Sequence, residues 1–162
     1  MKRRSLLAAA PVLALPGCGF QLRQAPTFTF RRIFVNAAPT SPIGRDLKRA
    51  LASGGNVTVV EDPAAADVVL DVLTEQREKV VVGLSAVGQV REFELRVRFR
   101  FRLRTPQGKD LIADAEIAQQ RDISFTESSA LAKESEEQLL YRAMQAEVVQ
   151  QTMRRLAAVN TV

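Results

Sequence analysis

Residues equipped for chemistry are few, and one stands alone. Cys18 is the single cysteine of the 162-residue chain, and histidine and tryptophan are absent. A Cys/His metal site therefore cannot be assembled, no disulfide can close within the chain, and neither a Ser-His-Asp nor a Cys-His nucleophile is available. Catalysis would fall to carboxylates or lysines, and no motif of a known catalytic site accompanies them. The expectation is a protein that is not an enzyme and uses no metal and no cofactor, apart from a covalent lipid on Cys18.

The lipid follows from where that cysteine lies. Lys2, Arg3 and Arg4 make a basic start, and residues 5–15 form an uncharged apolar run, well short of the roughly 18 to 20 residues that span a bilayer. Leu15, Pro16, Gly17 and Cys18 then resemble a lipobox, with a branched apolar residue three before the cysteine and a small one directly before it; Pro16 stands where a small residue is usual. Residues 1–17 are expected to be a cleaved signal peptide, with Cys18 the lipidated N-terminus of the mature chain. The competing reading is a plain secretory signal followed by an incidental buried cysteine. One acyl chain holds a protein to a membrane only marginally, whereas the several chains of a bacterial lipoprotein would make attachment durable. Gly19 follows the cysteine, where an aspartate would suggest inner-membrane retention, so the resemblance points to a lipid-anchored protein of the outer membrane.

The second chemical feature is a ladder of arginines. Phe93, Leu95, Val97, Phe99, Phe101 and Leu103 alternate with Glu92, Glu94, Arg96, Arg98, Arg100, Arg102 and Arg104. Period two this regular means a strand with one buried face, and the arginines would stand about 6.8 Å apart on the other face, a spacing that suits a run of phosphates or carboxylates. A purely structural reading competes with it. Pro106, Gln107 and Gly108 suit a three-residue hairpin loop pairing Thr105 with Lys109. In that register Arg104 faces Asp110, Arg100 faces Asp114 and Arg98 faces Glu116, so cross-strand ion pairs account for three arginines. Arg96 would oppose Ala118 and Arg102 would oppose Ile112, leaving both without a carboxylate and open to an external anion. The open sheet face also suits docking to a protein, where arginine is enriched.

Charge argues against nucleic acid. The formal net charge is +5, and cleavage would remove three of those positive charges (Lys2, Arg3 and Arg4), leaving +2, too mild to attract a polyanion. One tyrosine and no tryptophan offer little for base stacking.

The elements that position these residues read as one domain over residues 30–159, behind a tether over 18–29. A short strand surrounds Ile33 to Val35. Ser41 as N-cap and Pro42 at the first helical position open a helix whose apolar stripe is Ile43, Leu47, Ala50 and Leu51, stopped by Gly54 and Gly55. A further short strand is possible over 57–60, then a turn over 63–66 and a β-rich run over 67–82. Residues 83–89 form a flexible connection with an apolar tip. After the long strand over 91–104, Leu111, Ala113, Ala115, Ile117, Ile123 and Phe125 continue the core face. Residues 126–129 cap a long final helix with the stripe Leu139, Ala143, Ala146, Val149, Met153 and Leu156. The fold class is α+β, a β-α-β-β-β-α sandwich: a mixed, mostly antiparallel four-stranded sheet with two helices packed on one face.

Several segments in this order resemble the LptE family of lipopolysaccharide-assembly lipoproteins, particularly its beta-proteobacterial branch: residues 18–23 directly after the lipobox, 77–95, 116–125, and Ala130-Leu-Ala-Lys-Glu134 leading into residues 139–142. The resemblance implies a non-enzymatic partner of LptD, an outer-membrane β-barrel. The lipoprotein would plug the barrel, support lipopolysaccharide transport and insertion into the outer leaflet, and contact lipopolysaccharide itself. The basic residues given that contact in the family match Arg91 and Lys133 here; Arg96 and Arg102 join them as candidates from the register. On a structural reading Arg91 is only a strand-end charge and Lys133 only a solvated helix residue beside Glu134, Glu136 and Glu137. The alternative function is a free-standing lipoprotein that carries lipid or acts as a chaperone without a dedicated barrel.

Overall fold

The computed structural model describes residues 26–160 except 55, 127 and 129. The expected signal peptide, Cys18 and most of the expected tether lie outside the described residues, as do two of the four residues expected to cap the last helix. Phe28 packs against the core beside Phe30, and Thr29 Oγ1 donates to the Val159 carbonyl at 3.0 Å. The chain therefore enters the domain beside its own C-terminal end.

The elements are β1 (Arg32–Asn36), α1 (Pro42–Ser53), β2 (Thr58–Val60), a single 3-10 turn (Pro63–Ala65), β3 (Val68–Leu84), β4 (Val90–Arg104), β5 (Asp110–Ser124) and α2 (Ala130–Ala157). They build one five-stranded sheet in the order β2-β1-β3-β4-β5, where four strands were expected. The fifth is the short segment at Thr58–Val60, which pairs in parallel with β1; β1 is also parallel to β3, and β3-β4-β5 form an antiparallel meander. Such a short edge strand carries too few residues to show a period of two, so its sequence alone could not fix it.

Alternation places Leu95, Val97, Phe99, Phe101 and Leu103 fully inside, and both helices cover that face. Ser41 caps α1 as expected, its Oγ accepting from Gly44 N at 2.8 Å. Glu75 of β3 reinforces the cap, bonding the Ser41 hydroxyl and accepting from Ile43 N at 3.2 Å. Among the described residues no helix is long and apolar enough to cross a membrane.

Two expectations need correction. The buried stripe of α2 is Tyr141, Met144, Gln145, Val148, Val149, Thr152, Met153 and Leu156, while Leu139, Ala143 and Ala146 are exposed. Polar residues hold buried positions and so hide the true stripe from a reading of apolar spacing. Gln145 joins the side chains of Arg77 on β3 and Asp46 on α1, and Thr152 bonds back to the Val148 carbonyl at 2.9 Å. The connection over 83–89 is also shorter than expected. β3 runs on to Leu84 and β4 starts at Val90, with the turn closed by Ser85 N to Gln89 O at 2.8 Å and Gly88 N to Ser85 O at 2.9 Å. Gly88 supplies the left-handed residue at φ +79°.

Candidate functional site

The arginine ladder stands on the sheet face opposite the helices, in a register more complex than a single hairpin sets. Arg104 pairs with Asp110 as expected, but a bulge on β5 then slips the strand, so Arg100 faces Glu116, Arg98 faces Ala118 and Arg96 faces Gln120. Two of the three expected ion pairs survive diagonally: Arg100 with Asp114, and Arg98 with Glu116 at 3.5 Å; the third does not form, because Arg104 turns to Asp71 of β3 and Asp110 lies nearer Arg102. Diagonal neighbours lie within reach of long side chains.

The expectation that Arg96 and Arg102 lack carboxylate partners is overturned. Arg96 binds Glu94 two residues away on its own strand, a same-face pairing that a count of cross-strand partners misses. Arg102 Nη2 reaches Asp71 of β3 at 2.8 Å, and its Nε lies 4.0 Å from Asp110. Asp71 is the hub here. Only 5% exposed, it also accepts from Arg104 Nε at 2.8 Å and Asn36 Nδ2 at 2.9 Å. Burial alone would push its carboxyl up, but the hydrogen bonds from Arg104, Asn36 and Arg102 outweigh that and hold it at about 2. The partner missed by the sequence reading is thus on β3. The ladder is largely neutralised from within, which weakens the case for a run of phosphates along it.

Arg91 and Lys133 lie at the other end of the sheet, where the β3-β4 hairpin projects past β5. Phe125 N donates to the Arg91 carbonyl at 2.7 Å, and Lys133 Nζ donates to the Ser124 side chain at 3.1 Å and to Glu136 at 2.8 Å. Successive residues of one strand end, 124 and 125, thus tie the two cations to the same region. Arg91 is bonded through its side chain only to Gln89, at 3.2 Å, among the described residues.

Between α2 and the hairpin base lies a cleft of about 280 Å³, with Phe93, Ile123 and Phe125 among its lining residues and Lys79, Lys133, Glu134 and Glu137 contributing its charges. Phe93 and Phe125 meet edge to face at 5.3 Å. Lys79, which the sequence reading passed over, has its Nζ 2.6 Å from Glu137 and 4.2 Å from the Phe93 ring centroid, a cation-π contact. The available signal was Glu75, Arg77 and Lys79 at alternate positions of a strand. Polar residues at that period, on the side covered by helices, mark a gap in the apolar core. No group of three or more metal-ligating side chains occurs among the described residues.

A long antiparallel hairpin and a long C-terminal helix, with a short parallel edge and a charged open face, define a class of bacterial lipoprotein domain. The solution structure of an uncharacterized lipoprotein B from Nitrosomonas europaea matches with a TM-score of 0.76 and 35% identity, over 86% of this chain and 91% of that one. The crystal structure of the rare lipoprotein B from Shewanella oneidensis shares the fold with a TM-score of 0.67, at 24% identity over 79% of this chain and 95% of that one. Residues 30–156 match the family model LptE, lipopolysaccharide-assembly, and the chain belongs to that family. The LPS-assembly lipoprotein LptE of Yersinia pestis (strain Pestoides F) is 29% identical over 96% of this chain and 76% of its own length. The family's role is in lipopolysaccharide assembly in the Gram-negative envelope and is not enzymatic.

Proposed function

We propose that the mature protein is a lipid-anchored plug of the LptD β-barrel in the outer membrane, supporting lipopolysaccharide transport and its insertion into the outer leaflet. Membership of the LptE family over residues 30–156 carries this reading. The open sheet face supports it. Its arginines are matched by Glu94, Asp114, Glu116 and Asp71, so the surface is polar yet nearly neutral, which suits the polar interior of a transmembrane barrel. Arg91 and Lys133 are assigned to lipopolysaccharide contact at the hairpin end, and Cys18 to the covalent lipid. Arg96 and Arg102, already held by carboxylates, fit a structural or barrel-facing role better than a phosphate site.

The deciding experiment captures tagged mature protein from outer-membrane extract and identifies its companions and its N-terminus by mass spectrometry. A large β-barrel in near-equal amount, with acylated Cys18, is the expected result. Lipidated, folded protein arriving without a barrel would discard the plug reading in favour of the free-standing carrier.

A further inference from the structure

The hairpin end carries an apolar surface that α2 leaves uncovered. Val81, Phe93 and Ile123 are cross-strand neighbours on the helix side of the sheet, and Val81 is 45% exposed. Phe93, Ile123 and Phe125 line the adjoining cleft, so floor and shelf are continuous. Residues 80–90 contain no charge.

Charge around this shelf is divided by face. Glu92 and Glu94, with Asp122 of β5 opposite Glu94, belong to the opposite side of the sheet, while the Ser124 hydroxyl reaches Lys133 at the strand end. On the helix side stand Lys79 and Lys133, and Arg91 continues the alternation that carries Phe93 and Leu95. Glu137 and Glu136 hold the two lysines, and Glu134 also lines the cleft. An apolar floor rimmed by three cations is complementary to an amphiphile that joins acyl chains to phosphate. Ligand cavities commonly run upward from about 300 Å³, so 280 Å³ suits a single chain.

We infer that this shelf and cleft seat one acyl chain of a phosphorylated glycolipid, and that Lys79 joins Arg91 and Lys133 in meeting its phosphate. The inference rests on the lipopolysaccharide reading above and adds to it which part of the lipid lies where. In place of Glu137, the Lys79 ammonium takes a phosphate oxygen, while the chain covers Val81 and Phe93.

The test titrates the mature, full-length protein with lipid A and with its fully deacylated bisphosphorylated disaccharide. Wild type is expected to prefer lipid A by about tenfold or more, as burial of a few methylenes requires. Val81→Gln should remove most of that preference without changing affinity for the deacylated probe, and Lys79→Gln should weaken both probes. Leu84→Gln, at a more exposed residue that pairs with Val90 on the opposite face, is the control and should bind as wild type. Equal affinity for the two probes, a Val81→Gln variant that keeps the preference, or competition by phosphatidylglycerol equal to that by lipid A would overturn the inference. Lipid A binding without barrel capture would sink only the plug reading; barrel capture without an acyl preference would sink only the acyl seat.

Discussion

Asp71 of β3 and Arg102 of β4 are cross-strand partners whose side chains meet at 2.8 Å on the face away from the helices. Because Asp71 also holds Arg104 and Asn36, one carboxylate fastens β1, β3 and β4 where the parallel and antiparallel halves of the sheet join. Asp71→Asn should therefore cost stability. With the folded carboxyl at about 2 against an ordinary 3.8, linkage gives an order of about 2 kcal/mol. A depressed pKa stabilises above the unfolded value and loses that contribution as pH falls through the folded one. Wild type should thus lose it between about pH 4 and 2, while the asparagine variant shows a flatter profile there. Urea unfolding at a series of pH values reads both; equal midpoints for the two proteins at pH 7 would contradict the role of Asp71.

Arg100 and Asp114 pair across the β5 bulge, and this contact holds the Asp114 carboxyl below its usual range. Arg100→Asp should lower the urea midpoint modestly, and the double exchange Arg100→Asp with Asp114→Arg should recover most of the loss. Because both groups are solvent-exposed, the deficit of the single variant should shrink in 1 M salt. A deficit that salt leaves untouched would point to altered packing instead.

Ser41 and Glu75 give a sharper case. The Ser41 hydroxyl accepts from Gly44 N while bonding to Glu75, so Ser41→Ala removes a cap and leaves Glu75 with the Ile43 N–H alone at this helix end. A loss of about 1 to 2 kcal/mol is expected, with faster amide exchange over the first turn of α1. Protection unchanged at Ile43 and Gly44 would show that the cap is dispensable.

Much of this fold was legible because period two is unambiguous over a long strand: the inside residues of β4 are those the alternation named. Helix α1 was legible from its cap, its proline and its stripe. Legibility failed where one signal stood for two causes. In α2, Gln145 and Thr152 are buried because hydrogen bonds satisfy them, so apolar spacing pointed to the exposed Leu139 and Ala143. The hairpin loop did fix Arg104 opposite Asp110, but a bulge consumes residues without a sequence mark and shifted every later pair. The carboxylate that holds Arg102 is on β3, the neighbour that the register of the β4-β5 hairpin does not reach. Arg91 and Lys133 came from resemblance, and their shared location required β5 to end between them.

Gly83 tests the hairpin directly. A Cβ there would stand 2.9 Å from the Glu92 Cβ, closer than the strands allow without shifting. Gly83→Ala should loosen the hairpin end, at a cost of about 1 to 3 kcal/mol for a forced displacement, with hydrogen exchange rising at residues 81–92 and not in α1. Exchange unchanged in the hairpin would mean that Glu92 yields freely.

The assignment of Arg91 and Lys133 separates from that of Arg96 and Arg102 through opposite readouts. Arg91 has no carboxylate partner among the described residues, and Lys133 bonds to Ser124 and an exposed Glu136. Replacing both by alanine should cost little stability yet weaken lipopolysaccharide binding about tenfold or more, since each forfeits a charge-assisted contact. The barrel should still co-purify, because neither residue belongs to the open sheet face. Arg102→Ala should do the reverse: it deprives buried Asp71 of a partner and should lower the urea midpoint, while lipopolysaccharide affinity holds. Arg96→Ala, which loses only a same-strand contact with Glu94, should fall below Arg102→Ala in stability cost. Lipopolysaccharide binding that survives the Arg91 and Lys133 double change but fails in Arg102→Ala would move the anion site to the ladder. The neutralised face would then be a reservoir of arginines released by the ligand.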